Sequence, residues 1–363
     1  MEHRAIRFTS GLLLLATWTA VGACGGDGGP AGVESRFPLA ESQGIDGQAL
    51  EAAYARATEI PRIQSLLVQR NGVLVAEEYF HGFLPDSLHD VRSVTKSVMS
   101  ILTGIAVDRG HIEGIDQTLG ELLPGITDTL PEEKRRISVR HLLMMSSGLD
   151  WHELDGGTSY VDWWRSDDML EFILALPIVH DPGERFLYNT GASHLLSVIL
   201  TEVSGQATWS FARDNLLSPL GVSRANWLRL PDGYYAGGMG LKIDALTMLR
   251  IGQLVLDGGI YNGDRVVSES WIAQATSPHL SLGNVATPLL GDYGYLWWLG
   301  ESGGANYVLA NGYGGQFILI ERDLDLVVVA SSGWQGLSAV ESGQQWNAVL
   351  DLVVSDVLGA VRD

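Results

Sequence analysis

The placement of two hydrophobic periods along this 363-residue chain constrains its fold more than any other feature. Strand-like runs sit near both ends, and helix-like runs fill the middle. Ser65–Arg70 and Val73–Phe80 flank Asn71-Gly72, the strongest local signal for a two-residue hairpin. Toward the other end, Tyr295–Leu299, Tyr307–Ala310, Gln316–Glu321 and Leu326–Ser331 read as strands. Between about 96 and 260 apolar residues recur at helical spacing, as in Val139–Met145, Asp168–Leu176, Ala192–Val203 and Ala245–Leu256. Helices are also expected over 46–60 and over Ser342–Leu358. Strands supplied by both ends predict an α+β fold, an antiparallel β-sheet flanked by helices with an inserted mainly helical domain. The implied boundaries are 39–95 and 265–363 for the sheet domain and 96–264 for the helical domain. With 46% hydrophobic residues, 11 Trp and 44 Gly, the chain can bury such a core and make its many turns.

Ser93-Val94-Thr95-Lys96 stands where the first strands meet the helical region. Val94, Val98, Ile101, Leu102 and Ile105 follow at helical spacing, so Ser93 and Lys96 share one face of a buried helix. A serine hydroxyl becomes a nucleophile when a base takes its proton, and a lysine is that base only if burial keeps it neutral. The chain has three lysines, and of these Lys96 alone has a serine three residues before it. A second serine pattern, Gly300-Glu301-Ser302-Gly303-Gly304, matches G-x-S-x-G. That motif needs a following helix and a later histidine. A strand pattern follows instead, and the last histidine is His279. Ser302 is therefore expected in a glycine-rich turn.

Two other segments add chemistry. Pro182–Gly191 is a turn entering a helix, and Tyr188 there could relay a proton if cations lower its pKa. Gly312-Tyr313-Gly314-Gly315-Gln316 enters a strand whose backbone N–H could serve as an oxyanion donor. Trp163-Trp164 and Trp297-Trp298 suit either an apolar cleft or the core.

Over roughly residues 40–360 the chain resembles the serine-hydrolase family of class C β-lactamases, D-alanyl-D-alanine carboxypeptidases and related esterases and amidases. The resemblance rests on Ser93–Lys96, His141–Leu149, Pro182–Gly191, Gly237–Leu241, Tyr293–Trp298 and Gly312–Gln316, in the family's order. It implies that Ser93 is acylated, that Lys96 accepts its proton and that Tyr188 is a second general base. It also implies an oxyanion hole from the backbone N–H groups of Ser93 and Gln316. Two departures stand out. The Tyr-x-Asn of β-lactamases reads Tyr188-Asn189-Thr190, so Thr190 replaces an amide that contacts substrate. The Lys-Thr-Gly motif reads Tyr313-Gly314-Gly315, which removes the cation that meets a substrate carboxylate. Thr190, Tyr313, Gly314 and Gly315 form the expected substrate-binding set. The departures favour a small-molecule ester or amide over the alternative, a β-lactamase or D-Ala-D-Ala carboxypeptidase. A non-catalytic, surface-anchored binding protein is a second alternative, which the joint presence of Ser93, Lys96 and Tyr188 disfavours.

A net charge of −20 disfavours nucleic acid as a partner. No motif calls for a cofactor or a metal. The nine histidines show no ligand spacing, and Asp150, His152, Glu153 and Asp155 read as a solvated loop. The N-terminus resembles a bacterial lipoprotein leader. Arg4 and Arg7 precede a short apolar stretch that ends in Val21-Gly22-Ala23-Cys24, followed by a glycine-rich run. Residues 1–23 are expected to be a signal peptide and 24–38 a flexible tether. Cys24 is the single cysteine; it is expected to carry the lipid that anchors the protein in the bacterial cell envelope, facing periplasm or exterior. Cys24→Ser should abolish metabolic labelling with a radioactive fatty acid; equal labelling of that variant would remove the anchor.

Overall fold

The hairpin encoded around Asn71-Gly72 begins the central sheet. The structure, a computed structural model, describes residues 35–283, 287 and 289–362. The expected signal peptide, Cys24 and most of the tether lie outside these residues. Helix α1 (Gly47–Glu59) is capped by Asp46, which accepts from Gln48 N and Ala49 N at 3.0 Å each. Strands β1 (Ile63–Arg70) and β2 (Val73–Tyr79) follow. Asn71 and Gly72 turn between them at φ 51° and 71°, as a two-residue turn with left-handed central residues requires. Helix α2 (Val94–Asp108) comes next, and α3 (Thr190–Ser204) and α4 (Ala245–Leu256) lie in the mainly helical stretch after it. The chain then runs through α5 (Glu269–Ala275), β3 (Leu280–Ser281), β4 (Asp292–Tyr293), β5 (Trp298–Ser302), β6 (Ala305–Gly312), β7 (Gln316–Glu321), β8 (Leu326–Ser332) and α6 (Ala339–Asp351).

The large sheet has the order β2-β1-β8-β7-β6-β5-β4-β3, and every neighbouring pair is antiparallel. The first strands therefore pair with the last, as the strand–helix–strand order predicts. Successive residues of a strand face opposite sides, and β7 shows what covers each. A Cβ on Gly252 of α4 would lie 2.9 Å from Ile318, while Phe317 meets the Trp346 ring of α6 at 5.9 Å. Helices α4 and α6 thus cover opposite faces, and β7 and β8 are buried along their whole length. Such two-sided burial explains why these strands read as unbroken apolar runs.

Some local expectations shift. Tyr295–Trp297 is a turn before β5 rather than its first half, since Tyr295 N donates to Ala275 O and Leu296 N donates to Leu143 O. Those bonds tie the sheet's far end to α5 and to the short helix Val139–Leu143. Helix α4 falls within 96–264 yet packs on the sheet, so the sheet layer recruits a helix from the expected helical domain. The end of the expected tether is docked, because Ser35 Oγ donates to Glu51 Oε1 at 2.9 Å and Phe37 is buried against Tyr54. Ser302 ends β5 opposite Ala305, and Gly303-Gly304 makes the turn, so the serine borders the expected glycine-rich turn as a strand residue. Among the described residues no helix is long and apolar enough to cross a membrane.

Helix α2 is enclosed on every side. Its expected apolar set is buried, and so are Thr95, Ser97, Ser100 and Thr103 between them. Close approach to α5 depends on Gly104, where a Cβ would lie 2.4 Å from the Trp271 ring. Trp271 is buried and cannot swing away. Gly104→Val should therefore destabilise the protein by about 1–3 kcal/mol through overpacking. Gly114→Ala, which points into open space, should leave the thermal midpoint nearly unchanged. Equal midpoints for both variants would contradict this packing.

Candidate active site

The site begins with a strained entry into α2. Arg92 has φ 49°, an uncommon conformation for a residue with a side chain. Its backbone N–H donates to Asp90 Oδ1 at 3.1 Å, which stabilises the turn. Ser93 follows at the N-cap, yet its side chain caps nothing. A serine there ordinarily accepts from a backbone N–H one turn on. Here Ser93 Oγ lies 3.0 Å from Lys96 Nζ instead.

Lys96 is almost fully buried, and its amine has two further partners, Thr190 Oγ1 at 2.9 Å and Gly238 O at 2.8 Å. Burial drives its pKa down to about 7, the negative charge of Glu153 opposes that shift and Arg92 adds to it. A lysine so poised exchanges its proton near neutrality, which suits a general base.

Tyr188 and Thr190 arrive from the turn into α3. Lys96 Nζ stands 4.9 Å from the centroid of the Tyr188 ring, over its face. Burial raises the Tyr188 pKa strongly, Glu153 adds to the rise, and Ser93 and Arg92 oppose it. The condition set for a lowered phenol pKa is therefore not met: Arg92 does pull it down, but desolvation by burial outweighs it. Thr190 also departs from its expected place. It is 1% exposed, and its hydroxyl lies between Lys96 Nζ and Glu153 Oε1, 2.7 Å away, rather than on the substrate wall.

Glu153 is the residue the sequence does not reveal. The loop Asp150–Asp155 was expected to be solvated throughout. Asp150, His152 and Asp155 are, but Glu153 turns inward. Its carboxylate accepts from Trp151 Nε1 at 2.8 Å, from Thr190 N at 3.0 Å and from Thr190 Oγ1. No spacing or motif links Glu153 to α3. Among the described residues no group of three or more His, Cys, Asp or Glu could hold a metal ion.

The third segment closes the site from the sheet. A Cβ on Gly312 would lie 2.5 Å from Val91 O, so only glycine lets β6 pass so close to the entry of α2. Gly314 and Gly315 turn at φ 77° and 95°. Tyr313 and Gly314 face a cavity of about 350 Å³ together with Ser93, Tyr188 and Glu153. Gly315 and Gln316 do not line it; the Gln316 side chain turns away to Ser332. Leu154, Leu290, Trp298 and Trp346 make the rest of the wall largely apolar. Trp298 is thus a cleft residue, while Trp163, Trp297 and Trp151 are core. Arg92 places a cation beside Tyr313. Its guanidinium lies 4.3 Å from the Trp334 ring centroid and 5.9 Å from that of Tyr313, and it donates to Tyr160 OH at 3.1 Å. A larger cavity of about 490 Å³, near Asp292 and Arg322, contains none of these groups.

A family profile for β-lactamases matches residues 48–348, most of the chain. The chain belongs to the β-lactamase family. It is accordingly a serine hydrolase of the β-lactamase-like type. This β-lactamase-family chain is 25% identical, over 340 residues, to the 6-aminohexanoate-dimer hydrolase of Paenarthrobacter ureafaciens, covering 85% of this chain and 83% of that one. Its fold is similar to that of EstCE1, a hydrolase with promiscuous acyltransferase activity, at TM-score 0.66, 18% identity and coverage of 85% and 99%. A penicillin-binding protein from Bacillus halodurans is similar at TM-score 0.65, 16% identity and coverage of 83% and 99%. The family's antiparallel sheet with flanking helices is the fold described above.

The three lysines make the Lys96 proton directly observable. A spectrum of the protein labelled with ¹³C at lysine Cε should contain one resonance that titrates near pH 7 and vanishes in Lys96→Met. A Lys96 midpoint at or above the ordinary lysine value of about 10.4 would contradict the buried, partly neutral amine.

Proposed function

We propose that this protein hydrolyses small neutral esters or amides through an acyl-enzyme on Ser93. The single observation that carries this is the Ser93–Lys96 pair, 3.0 Å apart, with the amine buried and Ser93 lining a largely apolar cavity. Ser93 Oγ attacks the substrate carbonyl carbon as its proton passes to Lys96 Nζ. The oxyanion is assigned, as the family resemblance implies, to the backbone N–H groups of Ser93 and of Gln316; Gln316 does not itself line the cavity but follows two residues after Gly314, which does. Collapse breaks the bond to the leaving alcohol or amine, which takes a proton through the Tyr188 hydroxyl, and Lys96 returns the proton it holds to Tyr188. Water then attacks the acyl-enzyme with the same groups acting in reverse. Tyr188 enters as a neutral phenol, so it works as a relay rather than as a standing base.

Substrate preference follows from the wall. Among its described residues the one charged group is Glu153. A carboxylate entering that cavity gives up its hydration, faces a like charge, and finds the neutral hydroxyl of Tyr313 where lysine stands in β-lactamases. The Arg92 guanidinium is engaged with Tyr160 and Trp334 and does not line the cavity. An apolar ester meets Leu154, Leu290, Trp298 and Trp346 at little desolvation cost. The similarity to a 6-aminohexanoate-dimer hydrolase supports hydrolysis of an amide, and that to EstCE1, a hydrolase with promiscuous acyltransferase activity, supports acyl transfer. The preference for a neutral substrate rests on the cavity wall alone, since a 6-aminohexanoate dimer carries a carboxylate. We further propose that the enzyme acts at the cell envelope, tethered by lipid on Cys24.

Ser93→Ala should remove nearly all turnover of a short-chain p-nitrophenyl ester. Lys96→Ala and Tyr188→Phe should each lower kcat by about 10²–10⁴-fold. The ester should be turned over with a higher kcat/KM than nitrocefin or a D-Ala-D-Ala peptide. Unchanged turnover in Ser93→Ala would sink the nucleophile assignment, and a nitrocefin kcat/KM above that of the ester would replace the esterase with a β-lactamase.

A further inference from the structure

Each oxygen around Lys96 Nζ is restricted in what it can do. Gly238 O is a carbonyl and only accepts; it lies 2.8 Å away. Thr190 has one hydroxyl hydrogen, and Glu153 Oε1 stands 2.7 Å from Thr190 Oγ1. A carboxylate only accepts, so that hydrogen points to Glu153. Thr190 Oγ1 then faces Lys96 as an acceptor, at 2.9 Å. A neutral amine has two hydrogens and one lone pair. Its hydrogens are taken by Gly238 O and Thr190 Oγ1, which leaves the lone pair for the third neighbour, Ser93 Oγ at 3.0 Å.

We propose that Glu153 is a positioning residue that, through Thr190, aims the lone pair of neutral Lys96 at the Ser93 hydroxyl. This rests on the assignment of Ser93 and Lys96 made above. The carboxylate is itself fixed. Trp151 Nε1 and the Thr190 backbone N–H both donate to Oε2, and the second bond also places the charge at the N-terminus of α3. Its remaining oxygen is held against the Thr190 hydroxyl. Glu153→Gln changes this in two ways. An amide can donate to Thr190 Oγ1, which frees the threonine hydrogen to turn toward the Lys96 lone pair and away from Glu153. The negative charge is also lost.

The charge has a consequence that a purely structural role lacks. The charged or titratable groups facing Lys96 are Arg92 and Ser93 at the entry of α2, Tyr188 before α3, and Glu153 on the loop after Trp151. Of these, Glu153 favours the protonated amine. Without it Lys96 loses its proton more readily, so the acid limb of any Lys96-dependent rate moves to lower pH. The lone pair is then available over a wider pH range but is no longer aimed.

The test is the second-order rate at which a neutral fluorophosphonate labels Ser93, followed as a function of pH in the full chain. Glu153→Gln should lower the plateau rate at least about tenfold, part of the about 10²–10⁴-fold that a positioned proton acceptor contributes. It should also move the acid limb to lower pH. Thr190→Val breaks the same chain and should lower the plateau comparably, while Thr190→Ser, which keeps the hydroxyl, should recover most of the loss. The Glu153→Gln/Thr190→Val double variant should be little worse than the worse single. A Glu153→Gln profile that overlays the wild type overturns the proposal, as does a lower plateau with an unmoved limb and multiplicative losses. If Glu153→Gln does not fold, equal rates for Thr190→Val and Thr190→Ser overturn it. Absence of labelling in the wild type itself overturns the Ser93 assignment and this proposal with it, whereas labelling of the wild type with an indifferent Glu153→Gln overturns this proposal alone.

Discussion

An amine held out of water organises this molecule. Burying an ammonium without partners costs several kcal/mol, so a buried lysine either finds acceptors or gives up its proton. Lys96 does some of both. Three oxygens surround it, from Ser93, Thr190 and Gly238, and its proton affinity still falls to near neutrality. Those oxygens come from the start of α2, the start of α3 and the glycine-rich segment before α4. The site is therefore a property of how three distant stretches pack: α2 lies directly against α3, and Val91 N donates to Leu241 O just after the glycine-rich segment.

The packing explains the otherwise odd local choices. Arg92 adopts a left-handed backbone because the chain must turn sharply out of the Asp90 region and present Ser93 toward the cavity. Conformations of this sort cost about 1–3 kcal/mol and persist where surrounding contacts over-determine them. Here the Arg92 side chain is held by Tyr160 and Trp334, and Gly312 of β6 lies directly against Val91. Helix α2 is sealed between α3, α5 and the sheet, so Ser93 and Lys96 are mounted on a rigid element. Such rigidity favours a site whose geometry must hold to fractions of an ångström.

Much of this was legible in the sequence, for identifiable reasons. The hairpin at Asn71-Gly72 and the strands Gln316–Glu321 and Leu326–Ser332 follow from turn chemistry and apolar runs that admit few alternatives. The pairing of first strands with last follows from their positions at the two ends of a helical stretch. Ser93 and Lys96 were legible because a helix fixes their separation, and Tyr188 because it lies in a recognisable turn. Glu153 was not, since its role depends on Thr190, 37 residues on, and its neighbours Asp150, His152 and Asp155 are ordinary exposed loop charges. Thr190 was assigned to the substrate wall by analogy, and the inward Glu153 is what claims its hydroxyl instead. The phenol of Tyr188 could be named but not its protonation, because desolvation depends on burial that only the fold reveals.

The central claim is that Ser93, deprotonated by Lys96, carries the acyl group of the substrate. Rapid mixing with a p-nitrophenyl ester, acid quenching and peptide mass mapping test it most directly. The account predicts a burst of about one p-nitrophenol per chain, as acyl-enzyme formation implies, and the acyl mass on the peptide containing Ser93. Steady hydrolysis without a burst is compatible only if the adduct is still trapped on Ser93. Turnover with no adduct there, or with the acyl group on another residue, would contradict it.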